Sequence, residues 1–173
     1  MGLRGNRGEW SELYALLKLL ADGRLYCGDA SQNRQDDRFF PILKIFRNDQ
    51  IDRTAYTVNA AKKEILVSRT NDCTIDVSQE EMQTKAHSIL NVIKTHTGTF
   101  DIPEIHNFLE RIDCKTIKAK STDKADIRIV IHDLNTGSKP ELGYSIKSKL
   151  GLNPEVAPTM RGSSFSFSTN VLA

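Results

Sequence analysis

One α/β or α+β domain, a mixed sheet packed by helices, is the fold this sequence predicts. Three observations predict it. Apolar residues recur at helical spacing between Glu9 and Ala21, a capping signal at Ser78 precedes a second apolar stripe, and strict alternation sets in at Ile127. A chain of 173 residues is long enough to bury one core of this kind.

The first helix spans Glu9 to Ala21. Trp10, Leu13, Leu17 and Leu20 follow each other at spacings of three and four, Leu16 and Leu19 widen the apolar side, and Asp22-Gly23 stops the helix. Glu9 and Glu12 are neighbours on the narrower polar side. The macrodipole accounts for an acid at Glu9, near the helix start, and accounts less well for Glu12. A strand follows from Phe39 to Arg47, where Pro41 marks an edge or a strand start. Two short strands come next, Thr54–Val58 and Glu64–Ser68.

Ser78 and Glu81 form a capping box for the second helix, residues 78–94, whose stripe is Met82, Ala86, Ile89, Leu90 and Ile93. Asp101 and Glu104 repeat the arrangement before a short third helix carrying Ile105, Phe108, Leu109 and Ile112. His87, His96 and His106 lie on or beside these helices without metal-ligand spacing and read as surface or packing residues. Ile127, Ile129 and Ile131 alternate with Arg128, Val130 and His132, and Asn135-Thr136-Gly137 supplies turn chemistry. Residues 126–149 therefore form a β-hairpin whose loop runs from Asn135 to Pro140.

Composition excludes several classes. With 39% apolar and 27% charged residues the chain is an ordinary globular protein, neither disordered nor low in complexity. No apolar run approaches the length of a membrane span, and the N-terminus lacks the order of a signal peptide. The three cysteines, Cys27, Cys73 and Cys114, are far apart, which argues against a disulfide framework or a structural zinc site. A cytoplasmic protein is expected.

Net charge is only +2, yet its distribution is uneven. Between Lys115 and Leu150 eight basic residues face four acidic ones. On the hairpin, Asp126 opens one strand, while Glu141, Gly143, Ser145, Lys147 and Lys149 share a face of the other by the period of two. A carboxylate and a lysine on adjacent strands is the equipment of metal-assisted phosphodiester hydrolysis. The same two residues also read as a surface ion pair, so spacing alone leaves both readings open.

Longer stretches carry a resemblance. Residues 8–20 (GEWSELYALLKLL), 121–127 (STDKADI) and 142–151 (LGYSIKSKLG) are similar to the HpaII-type restriction endonucleases, and 40–45 (FPILKI) fits the same pattern. The resemblance implies a restriction-endonuclease-like (PD-(D/E)xK) fold, a mixed β-sheet flanked by helices, that cuts double-stranded DNA with Mg2+ inside a short, CCGG-like palindrome. It assigns Asp126 as the first acidic metal ligand and Lys147 as the motif lysine. The middle motif position is Ser145, a poor replacement for a carboxylate on Mg2+. The second carboxylate then comes from elsewhere, with Glu12 ranked first, Glu9 second and Glu141 third. Asp123 is a further candidate ligand, but three residues before Asp126 it is expected to shape the turn into the strand. Lys124 and Lys149, with Ser145, are the expected DNA contacts.

The likeness covers residues 5 to about 151, which sets a nuclease-like domain at 1–151 and a divergent tail at 152–173, in a chain that reads as a truncated member. A homodimer suits a palindrome, although a monomer can also nick each strand in turn. Two rivals follow from the residues: a non-catalytic DNA-binding remnant, and a small interaction protein whose basic hairpin is solvated surface.

Overall fold

The computed structural model describes residues 3–29, 33–48, 53–68, 74–117 and 125–148, with the backbone of 164–167. In chain order the elements are β1 (Arg4–Asn6), α1 (Arg7–Asp22), β2 (Arg24–Gly28), β3 (Arg34–Asn48), β4 (Arg53–Asn59), β5 (Glu64–Ser68), β6 (Thr74–Ser78), α2 (Gln79–Thr95) and β7 (Thr99–Asp101). A 3-10 turn at Pro103–Ile105, α3 (His106–Arg111), β8 (Ile127–Ile131), β9 (Glu141–Ser148) and β10 (Ser164–Phe167) follow.

Seven strands lie in the order β10-β9-β8-β3-β4-β5-β6, and β2 pairs with the first half of β3. Neighbours are antiparallel except β10 and β9, which run parallel and make the sheet mixed. One cross-strand row explains where the core sits. Ile129 pairs with Ile45, Ile45 with Tyr56 and Tyr56 with Val67, and all four are buried. Opposite residues in an antiparallel ladder share a face, so this row is the side covered by the helices. The alternate row, with Lys44, Phe46, Arg128 and Glu141, is half-buried or exposed.

Helix α1 begins two residues earlier than the apolar spacing suggested, because its cap is Asn6. The Asn6 side chain accepts from the Glu9 amide at 3.0 Å and the Glu9 carboxylate accepts from the Asn6 amide at 2.9 Å, a reciprocal capping box. Gly23 ends the helix with φ 61°, a left-handed conformation in which its N–H reaches the Leu19 carbonyl at 2.9 Å. Trp10 anchors the helix start by stacking on Phe100 and donating to that residue's carbonyl at 3.2 Å.

Three local expectations need correction. The strand over Phe39–Arg47 is instead the fifteen-residue β3, and Pro41 lies inside a central strand. The ring is tolerated because its missing N–H removes only the rung where β8 runs out: His132, just past that strand, still donates to the Pro41 carbonyl at 2.9 Å. At α2 only half of the capping box forms. Ser78 accepts from the Glu81 amide at 3.1 Å, but the Glu81 carboxylate is drawn away to Arg111 on α3. At the third helix no side-chain cap forms, since Asp101 is held by His106 at 2.5 Å.

A buried polar cluster, unanticipated from sequence, fastens the chain ahead of β8. Arg47 donates to the Cys114 sulfur and, at 2.6 Å, to the Ile117 carbonyl. Thr54 donates to Asp113 at 3.1 Å, and the Tyr56 hydroxyl donates to the Ile112 carbonyl at 3.1 Å. These bonds satisfy groups that would be costly to bury alone, and they dock residues 112–117 on β3 and β4. No helix among the described residues is long and apolar enough to cross a membrane.

Candidate active site

The β8–β9 hairpin forms where expected, in the register Ile127↔Tyr144, Arg128↔Gly143, Ile129↔Leu142 and Val130↔Glu141. Its turn is built by Asp133, whose carboxylate accepts from the Asn135 amide at 2.9 Å and the Thr136 hydroxyl at 2.8 Å. Those bonds, the Asn135 amide first, hold the Asp133 carboxyl below its ordinary pKa. Gly137 completes the turn with φ 71°.

At the open end of the hairpin, Asp126 is docked on β9 twice. Its amide donates to the Tyr144 carbonyl at 2.9 Å, and its Oδ2 accepts from the Ile146 amide at 2.6 Å. The carboxylate thus stands where the next backbone carbonyl of the ladder would be, beside the residue that precedes Lys147. A strand end needs an acceptor for that amide, and a short acidic side chain supplies one while holding a single orientation. The other oxygen, Oδ1, makes no hydrogen bond among the described residues.

Lys147 lies on β9, one residue beyond the Ile146 amide, and its backbone pairs with Ser166 of β10. The Lys147 side chain, and the whole of Asp123, Lys124 and Lys149, lie outside the described residues. Ser145 is half-buried, is paired with Ser164, and shares its strand face with Gly143 and Lys147. Tyr144, next to it, has its phenol pushed up in pKa by burial.

The three candidate second carboxylates have separate fates. Glu12 sits on α1, which packs against β9, and it is half-buried with Oε2 shut away from solvent. Glu9 spends its carboxylate on the Asn6 amide. Glu141 is paired with Arg53 at 2.8 Å and lies within 3.5 Å of Arg128. It also stands four residues from Ser145 along the strand, roughly 13 Å away. The structure therefore packs α1, which carries both Glu9 and Glu12, against the strand of Lys147, while it ties Glu9 to the Asn6 amide and Glu141 to Arg53.

Among the described residues no group of three or more His, Cys, Asp or Glu is placed to hold a metal ion. The donor chemistry nevertheless fits Mg2+, which takes hard oxygen ligands and needs only one or two carboxylates beside substrate phosphates and water. Asp126 and Glu12 both carry hard carboxylate oxygens of that kind.

The described structure is a mixed sheet with an acid at the head of one strand and a lysine on the next, and comparison identifies the family to which it belongs. The HpaII restriction endonuclease family matches residues 6–172, and the chain belongs to it. It is 42% identical over 166 residues to the type II restriction enzyme HpaII of Haemophilus parainfluenzae. That alignment covers 94% of this chain and 46% of the relative, so the chain spans about half the relative's length. No solved structure matches it significantly.

Proposed function

We propose that this chain is a type II restriction endonuclease that hydrolyses phosphodiester bonds of double-stranded DNA with Mg2+ at a short palindromic site. The observation that carries the reading is the Asp126 carboxylate locked on the Ile146 amide, beside Lys147, in a member of this family. Asp126 and Glu12 hold the metal, and Glu9 remains the reserve ligand. Bound there, Mg2+ supplies Lewis acidity to the scissile phosphate and acidifies a water. The Lys147 ammonium orients the nucleophile and stabilises charge on the phosphate oxygens. Lys124, Lys149 and Ser145 touch the DNA backbone and add salt-sensitive affinity without selecting sequence. The setting is cytoplasmic, and a homodimer matches the two-fold symmetry of a palindrome.

The Ser145 hydroxyl makes the reading specific. The motif's middle carboxylate is absent from β9, so an acid from a different element must complete the ligand set, and α1 is the helix packed on that strand. Supercoiled plasmid incubated with Mg2+ should be nicked or linearised, and EDTA should stop it. Lys147→Ala should remove cleavage while DNA retention persists. Salt-sensitive binding without metal-dependent nicking would identify the chain as a DNA-binding remnant, and loss of binding altogether would leave only ancestry.

A further inference from the structure

We propose that Gly143 is a positioning residue for Asp126, and that it acts through the space its missing side chain leaves. The inference rests on the reading of Asp126 as a metal ligand and extends that reading to the partner strand.

Gly143 pairs with Arg128, and Ala125, three residues ahead of Arg128, comes back to lie against Gly143. A Cβ at position 143 would lie 3.0 Å from the Ala125 Cβ. Two carbons attract best at about 3.5–4.0 Å, so the contact would be repulsive and one side would have to give. Gly143 does not have a positive φ. The site therefore needs glycine for room, not for backbone conformation.

What yields is the seat of the carboxylate. Ala125 is bonded directly to Asp126, whose two anchors on β9 lie one residue either side of Ser145. The Oδ2 bond to the Ile146 amide is only 2.6 Å long, and such bonds weaken steeply with displacement. A shift of a few tenths of an ångström at Ala125 is therefore delivered to the carboxylate and changes its position relative to the strand of Lys147. The clash lies between two Cβ atoms, so removing the one on Ala125 restores the same clearance from the other side.

The experiment is amide exchange on the full chain, read by NMR at Ile146, with Asp126→Ala defining the signature of a lost bond. Gly143→Ala should speed Ile146 exchange about ten-fold, while the Ile129 amide, deeper in β8, stays protected. Adding Ala125→Gly should return Ile146 to its native rate. In cleavage assays the single variant should lose kcat with KM for DNA unchanged, and the double variant should regain it. Native exchange at Ile146 in Gly143→Ala overturns the proposal. So does equal damage at Ile146 and Ile129 that Ala125→Gly leaves uncorrected. If the single variant does not fold, the double variant decides: a folded protein with native Ile146 exchange supports the proposal, and a failure to fold overturns it. A wild-type chain that never nicks DNA would sink the nuclease reading, while the exchange measurement would still decide the role of Gly143.

Discussion

Helices α1 and α2 lie side by side and are nearly equal in length, sixteen and seventeen residues, but their surroundings differ sharply. Helix α2 buries one stripe, Met82, Ala86, Ile89, Leu90 and Ile93, and leaves its acids near solvent, with Glu80 exposed. Helix α1 buries nine residues and packs against both α2 and the sheet, so Glu12 has little water around it. A carboxylate on an open helix face needs no special account. One withdrawn from water costs free energy unless something compensates it, and Glu12 belongs to the helix that packs on the strand carrying Lys147. The difference teaches where to look for function: in the acid that the fold draws away from solvent.

The largest expected effect would break the contrast if it failed. Asp126→Asn and Glu12→Gln should each lower Mg2+-dependent plasmid cleavage by at least about a hundred-fold, since a ligand contributes several kcal/mol of transition-state stabilisation. Glu12→Gln should also lower the urea midpoint, because the charge it removes is half-buried and engaged. Glu80→Gln on α2 should change neither quantity. Equal behaviour of Glu12→Gln and Glu80→Gln would dissolve the distinction between the helices.

Packing comes next. Leu17→Ala on α1 and Ile89→Ala on α2 should each cost about 2–5 kcal/mol in urea unfolding, as both side chains are fully buried. A much smaller loss for Leu17 would mean that α1 is less embedded than its burial says.

Caps are smaller still. Ser78→Ala should cost about 1 kcal/mol. Glu9→Gln should cost less than that, because it keeps the capping geometry, and should leave cleavage within a few-fold. A collapse of cleavage in Glu9→Gln would move the second metal carboxylate from Glu12 to Glu9.

The mildest effect is alkaline. Burial first, then the nearby Asp22 charge, pushes the Tyr14 phenol up to about 12 from the ordinary value of 10. Between those values the unfolded chain has lost a proton that the folded chain keeps, so stability falls as pH rises from 10 toward 12. Tyr14→Phe should make that decline shallower in pH-dependent melting.

Much of the fold was legible because local rules agreed with the global ones. The α2 stripe is the buried set residue for residue, and Glu64–Ser68 is a strand with the expected ends. The misreadings arose where a distant partner competed for a local group. Glu81 leaves the capping box for Arg111, and Asp101 leaves its helix for His106. Pro41 belongs to a central strand because only the register of three neighbours tells which rung its ring removes. Arg47 and Asp113 gave no signal at all, since nothing local marks a charged residue that will be buried by a segment some sixty to seventy positions away.

At the candidate site the residue types and the strand period drew attention to Asp126 and Lys147 but left a surface ion pair open, and their roles, like those of the glutamates, came from stretches that resemble the HpaII family. Residue type and period are properties of short stretches, where spacing decides which side chains are neighbours. The sequence ranks Glu12 ahead of Glu9, but that Asn6 claims the Glu9 carboxylate and that α1 lies against β9 are visible only in the folded chain. The anchor of Asp126 on Ile146 and the room left at Gly143 were likewise decided in three dimensions, since strand register joins positions that are about twenty residues apart in the chain.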